Sequence, residues 1–273
     1  MLTRTLGYRR APDGGPRDRD ANHHLGAAPV PTTSDLTQLF GPALDQGPLG
    51  SCVANAIADA VRAVQVRLGA DPAETELASR LAIYWVARAY VHEQAIDAGS
   101  FIHLAFAGLN IFGFAPESAW PYLIENFARQ PPLGAMAKAF DQRDADRPDV
   151  DYRRILSSGG HLVDDIKRAL GSGYPVVFGV DVSRAFLDGE LGPTGIAQTP
   201  GSGDEIVGGH AMLLAGLDRG SALARTSWGD GYGQPDGSGS PGTIWRLRTT
   251  CGWWRARLST RRCRCEPIRV RRS

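Results

Sequence analysis

From residue 52 onward the apolar positions Val53, Ile57, Val61, Val64 and Leu68 recur every three or four residues, with Asp59 and Arg62 on the other side. That spacing predicts a helix beginning at Cys52 and burying one face. A second helix is predicted from Thr75 to about Ala95, with Leu77, Leu81, Tyr84, Trp85 and Val91 as its apolar side. A third and shorter one runs from Ser100 to Phe112, stopped by Gly113. The second half changes character. Ala128 to Val150 is polar, holds Pro131-Pro132 and several aspartates, and reads as a crossing between lobes. His161 to Leu170 predicts a short helix ended by Gly171, and Pro175 to Val180 a buried strand. Leu191 to Gly208 reads as a Gly/Pro/Ser-rich loop, followed by consecutive strands over Ala211 to Leu217 and Ala222 to Thr226. The expected organisation is a domain over residues 33–245, with a helical lobe at about 45–127 and a β-rich lobe at about 150–245. Residues 1–32, rich in Pro, Gly, Asp and Arg, read as an extended arm.

At 273 residues and 42% hydrophobic, the chain is long enough to bury a substantial core. No stretch approaches the roughly 18 apolar residues of a membrane span, so no membrane partner is expected. Arg4, Arg9 and Arg10 have no apolar segment behind them, which predicts no signal peptide. The body of the chain has one cysteine and so no intrachain bridge, which fits a reducing, cytoplasmic address.

Charge is unevenly distributed. Residues 246–273 hold ten arginines and one acid, Glu266, giving +9 and leaving −8 for the rest of a chain whose total is +1. The same tail carries Cys251, Cys263, Cys265, Trp253 and Trp254 without hydrophobic period. It reads as a basic arm for nucleic acid, a solvated disordered extension, or the product of a shifted reading frame in a GC-rich gene. The third reading is preferred, and no nucleic-acid partner is expected because the body is acidic.

Chemistry concentrates at three places. Cys52 is the only cysteine in the first 250 residues and follows Asp45-Gln46-Gly47-Pro48-Leu49-Gly50-Ser51 at the start of the first predicted helix. The unpaired N–H groups there favour a thiolate. Gly208-Gly209-His210-Ala211 opens an apolar strand, and Thr226-Ser227-Trp228-Gly229 follows. Taken singly, the cysteine reads as a small buried hydrophobe and the histidine as a core residue. Together they suggest an acyl-transfer site assembled from two halves of the chain. His23-His24, His92, His103 and His161 lack metal-ligand spacing, and there is no P-loop, dinucleotide fingerprint or zinc motif. No cofactor and no metal are expected.

These residues resemble the papain-like (C1) cysteine peptidases. Gln46 stands six positions before Cys52, where that family keeps an oxyanion-hole glutamine, and Gly50-Ser51-Cys52 matches its nucleophile motif. Gly209-His210-Ala211 matches the histidine motif, and Ser227-Trp228-Gly229-Asp230-Gly231-Tyr232-Gly233 resembles the Ser-Trp-Gly-x-x-Trp-Gly stretch. Gly113 to Tyr122 resembles the Gly-x-x-x-Glu-x-x-x-Pro-Tyr segment, with Glu117, Pro121 and Tyr122 in place. The likeness covers roughly residues 40–245 and stops near Gly237–Gly242, which motivates the reading-frame interpretation of the tail. Thr226 replaces the family's asparagine, while Leu49 and Val53 replace a cysteine and an aromatic residue, as in bacterial non-secreted relatives. The arm is too short and polar to resemble the inhibitory pro-segment of secreted relatives.

The resemblance implies a two-lobed α+β fold and hydrolysis of a peptide or protein substrate through a thioester on Cys52. His210 would handle the proton, Gln46 the oxyanion, and Thr226 would orient the imidazole, more loosely than asparagine does. Two alternatives stay open: amide or acyl transfer by the same Cys–His pair, and a silent binding protein that keeps the cleft.

Overall fold

The first helix fixes the layout. In the computed structural model, α1 (Cys52–Arg67) buries almost its whole circumference from Cys52 to Val64. A single buried face was expected. Ala54, Ala56, Ala58, Ala60 and Ala63 are small enough to let neighbours approach on every side, so the helix runs through the middle of the molecule. The structure describes residues 4–10, 29–144, 150–155, 157, 160–188, 196–197, 200, 203–218, 221–230, 232, 244–248 and 265–270. For 143–144, 150–151, 196–197, 244–248 and 265–270 the description is of the backbone alone.

Two further helices pack on α1: α2 (Arg80–Ala89) and α3 (Ile102–Phe112). The second is shorter than the predicted span at both ends. Ser79 caps it by accepting from the Ala82 N–H at 3.2 Å, the chain before it turns at Asp71–Thr75, and His92 beyond it has a φ of 59°. Gly113, at φ 73°, ends α3 as its sequence predicts. The polar segment read as a crossing contains another helix, α4 (Leu133–Asp144). Pro132 precedes its first turn, where a missing N–H costs nothing, and Ala135 and Ala139 pack one turn apart against Ala115.

The other lobe is a sheet of β1 (Thr33–Asp35), β2 (Val150–Tyr152), β3 (Val176–Ser183), β4 (Ile196–Ala197), β5 (Ile206–Asp218), β6 (Ser221–Arg225), β7 (Ile244–Arg248) and β8 (Cys265–Val270). Its order is β2-β8-β3-β5-β6-β7-β4, with β1 paired to β5. Strand β5 pairs antiparallel with β3, Val180 facing His210. Helix α5 (Gly160–Gly171) lays Leu162, Val163, Ile166, Ala169 and Leu170 on the sheet, and a single turn, α6 (Arg184–Leu187), follows β3. The result is a two-lobed α+β fold with α1 at the junction, its residues sharing a core with Val177, Ala211 and Leu213 of the sheet.

Three expectations meet a different arrangement here. The segment read as a tail supplies β8, which pairs with β3 and β2. Its Cys251, Cys263, Trp253 and Trp254 lie outside the described residues, as do His23-His24. The loop expected at Leu191 to Gly208 contains β4 and the start of β5, and most of its remainder lies outside the described residues. Asp59, expected opposite the buried face, is buried: its Oδ2 accepts from Arg225 Nε at 2.9 Å. Arg225 also donates to the Gly41 and Pro42 carbonyls at 3.0 and 3.2 Å. Burial pushes the Asp59 carboxyl above its ordinary value, and Arg225 pulls against that. Among the described residues no helix is long and apolar enough to cross a membrane.

Replacing Asp59 by Ala strands a buried guanidinium, and the expected loss is about 3–5 kcal/mol of unfolding free energy in urea titration. Asp59→Ala combined with Arg225→Met should lose less than the two single changes added together. Additive losses would mean that the two side chains act independently.

Candidate active site

The sequence brings Cys52 to the first residue of α1, behind Ser51, whose side chain does not cap the helix. The turn before it is held from behind: the Gly50 N–H donates to both oxygens of Asp97 at 3.0 and 3.1 Å, and Asp97 in turn bonds the Tyr84 hydroxyl. Across the lobe junction, the Ala211 N–H donates to Cys52 Sγ at 3.4 Å, which places the thiol against the strand that carries His210.

His210 is fully buried on β5. Its Nε2 lies 2.7 Å from Thr226 Oγ1, and its ring stacks on Trp228 with centroids 4.0 Å apart and planes at 17°. The short threonine was expected to hold the ring loosely. It holds it closely, because β6 brings the Thr226 backbone near β5 and Trp228 fixes the ring plane. With Nε2 engaged by Thr226, Nδ1 is buried and has no hydrogen-bond partner among the described residues.

Gln46 joins the same group. Its N–H donates to the Ser227 carbonyl at 2.9 Å, and its side-chain Oε1 accepts from Ser227 Oγ at 2.6 Å. That second bond orients the amide, so that Nε2 donates to the Leu49 carbonyl at 2.8 Å and the Thr5 carbonyl at 2.9 Å. The structure therefore gathers all four residues singled out in the sequence, Gln46, Cys52, His210 and Thr226, between the two lobes. Ser227 was not singled out for this role; only its place beside Trp228 marked it.

What the sequence hid is the occupant of the cleft. Residues 4–10, part of the arm read as unlike an inhibitory segment, lie between the α1 entrance and β5. The Tyr8 N–H donates to the Gly209 carbonyl at 3.0 Å, the Ser100 N–H to the Gly7 carbonyl at 2.8 Å, and the Arg9 N–H to the Ser100 carbonyl at 3.0 Å. Arg4 lies over the Tyr232 ring at 4.4 Å and donates to the Leu187 carbonyl at 2.6 Å. The backbones are so close that a Cβ at Gly7 would stand 1.8 Å from the Gly50 carbonyl oxygen, and one at Gly179 2.3 Å from Tyr8 Cζ. A glycine at each point is a steric requirement. No sequence signal announces this, since the segment has neither hydrophobic period nor motif.

Enclosure sets the protonation states. Burial raises the Cys52 thiol to about 11, with the Ala211 and Gly7 backbone hydrogen bonds offsetting only part of the effect. Burial also lowers His210 to about 3. Both shifts favour the neutral form, so the covered site holds a thiol and a neutral imidazole rather than an ion pair. Chemically, the arrangement offers a latent sulfur nucleophile, a base with one free nitrogen, and an amide donor occupied by the Thr5 carbonyl. Among the described residues no group of three or more His, Cys, Asp or Glu side chains could hold a metal ion.

No protein-family model matches the chain. It is 34% identical over 196 residues to an uncharacterized peptidase C1-like protein of Acanthamoeba polyphaga mimivirus, over 70% of this chain and 61% of that protein. The chain thus spans less than two thirds of that relative's length. Its fold matches xylellain, a cysteine protease from Xylella fastidiosa, with a TM-score of 0.77, 25% identity and 100% of both chains covered. It also matches digestive procathepsin L 3 of Tenebrio molitor larval midgut, at a TM-score of 0.63 and 20% identity, over 92% of this chain and 74% of that one. The latter likeness is one of fold alone.

A Gly7→Val chain cannot seat its N-terminal segment without displacing Gly50. Cys52 alkylation at pH 7 is expected to accelerate more than about tenfold, because thiolate is the reacting species and exposure returns the thiol towards its ordinary range. In the unsubstituted chain the rate should keep rising with pH towards about 11. Equal rates in the two proteins at pH 7 would show that the segment does not cover the thiol.

Proposed function

We propose that this chain, papain-like in sequence and in fold, is a cysteine peptidase that hydrolyses peptide bonds through a thioester on Cys52. The observation that carries the reading is a helix-terminal cysteine whose Sγ accepts from the N–H of the residue directly after a histidine, with that histidine's Nε2 engaged by Thr226. Once the N-terminal segment withdraws and water re-enters, the two pKa shifts relax and the thiol proton can pass to Nδ1. The sulfur then bonds to the substrate carbonyl carbon, and the C=O pair moves onto oxygen. Gln46 Nε2, relieved of the Thr5 carbonyl, and the Cys52 N–H, at a helical position with no intrahelical acceptor, receive that oxyanion. Breakage of the C–N bond takes the proton from His210 to the leaving amine. Water attacks the thioester with His210 as base, and breakage of the C–S bond restores the thiol.

Thr226 acts in this scheme by fixing the imidazole through Nε2. A free Cys52 thiol fits a reducing compartment, and we place the protein in the cytoplasm on that ground. The substrate is a peptide or protein; the reading assigns no role to nucleic acid, membrane or cofactor.

The test is covalent labelling with an epoxide at pH 6, read by intact mass and peptide mapping in the Gly7→Val chain, followed by turnover of a peptide library. Single labelling at Cys52, lost in Cys52→Ala and His210→Ala, with release of new peptide termini, is the expected result. Folded protein that neither labels nor cleaves would make the cleft a binding site without turnover. Product appearing only with an added amine would make the enzyme an acyl transferase. Thr226→Val keeps the shape and removes the hydroxyl, and should lower kcat about tenfold with little change in KM.

A further inference from the structure

The Glu117/Tyr122 segment has no part in the chemistry above, yet its side chains run to the back of the site. The Tyr122 hydroxyl donates to the Gln46 carbonyl at 2.9 Å and lies 2.5 Å from Ser51 Oγ. One phenol oxygen therefore ties the residue that carries the amide donor to the residue directly before the nucleophile. Asn55, one turn into α1, donates to both the carbonyl and the hydroxyl of Ser51 at 3.1 Å. Behind the phenol, the Arg80 guanidinium covers the Tyr122 ring at 4.0 Å. Arg80 is fixed by Glu117, through Nε at 2.9 Å and Nη2 at 2.6 Å, and its Nη1 donates to Asn55 Oδ1 at 3.1 Å.

The geometry points to Tyr122 as a positioning residue of the oxyanion site: its hydroxyl sets the separation between Gln46 and the Cys52 N–H, and Arg80 with Glu117 holds the ring in place. The inference rests on the peptidase reading. An oxyanion hole works only if its two donors converge on one point, and here they come from separate pieces of chain, a loop and a helix end. Ser51 gives its hydroxyl to this bridge and leaves α1 without a side-chain cap. The first N–H groups of the helix thereby stay directed at the cleft.

Alkylation of Cys52 by iodoacetamide is a displacement at carbon with no oxyanion, whereas peptide hydrolysis passes through one. Both need the N-terminal segment displaced, so their ratio is independent of that step. In the full chain, Tyr122→Phe is expected to lower kcat for peptide hydrolysis about tenfold or more, with KM and the iodoacetamide rate within about twofold of the unsubstituted protein. Glu117→Gln, which loosens Arg80 and keeps the phenol, should give a smaller loss of the same kind. It serves as the probe if Tyr122→Phe fails to fold. Equal losses in hydrolysis and alkylation, or no loss in either, would overturn the inference while leaving the peptidase reading intact. Absence of hydrolysis by the unsubstituted chain, with Cys52 freely alkylated, would overturn both.

Discussion

The buried Asp59–Arg225 pair is the constraint on which the geometry between the lobes depends. Asp59 lies seven residues after Cys52, two helical turns, so both point from one side of α1 towards the sheet. Arg225 is the last residue of β6 and directly precedes Thr226. A fixed Asp59–Arg225 distance therefore fixes where the helix bearing the thiol lies against the strand bearing the imidazole's partner. An ion pair of this kind contributes little net stability over an apolar contact, because both charges leave water. Its value is directional: only one seating of α1 on the sheet satisfies it. The chain of bonds from Leu44 and Gln46 to Ser227 and Gly229 repeats the same tie at the mouth of the cleft.

Within that frame, the resting chemistry is decided by water. Cys52 and His210 are both fully buried, which pushes each towards its neutral form, and residues 4–10 run beside them. The same segment takes the Gln46 amide hydrogen through the Thr5 carbonyl and lies against glycines at 50, 99, 179 and 209. The Gln46 amide hydrogen and the space beside those glycines are thus taken up by one segment.

Much of this was legible in the chain. Helical spacing after Cys52, the stop at Gly113, the apolar run of β3 and the apolar strand after His210 come from local periodicity and glycine chemistry, which act over a few residues, although β5 itself begins earlier, at Ile206. The same holds for the candidate residues: Gln46 lies in the turn that leads to Cys52, and Thr226 directly follows the strand after the one that carries His210. Local rules failed where distant atoms decide. Asp59 looked solvent-facing until β6 supplied a guanidinium, and 128–150 looked like a linker until Ala115 gave α4 a surface.

The sequence by itself determined which groups could do chemistry and which elements would carry them, because residue type and spacing are local properties. Tertiary structure alone decided their state. Thr226 comes within hydrogen-bond distance of His210 because it directly follows the strand paired with β5, and Tyr122 reaches Gln46 and Ser51 because the lobe folds that segment behind the cleft. Burial pushes the Cys52 thiol towards its neutral form, with a segment more than forty residues upstream packed beside it. Distance, burial and dielectric are properties of the assembled molecule, and no pattern along the chain encodes them.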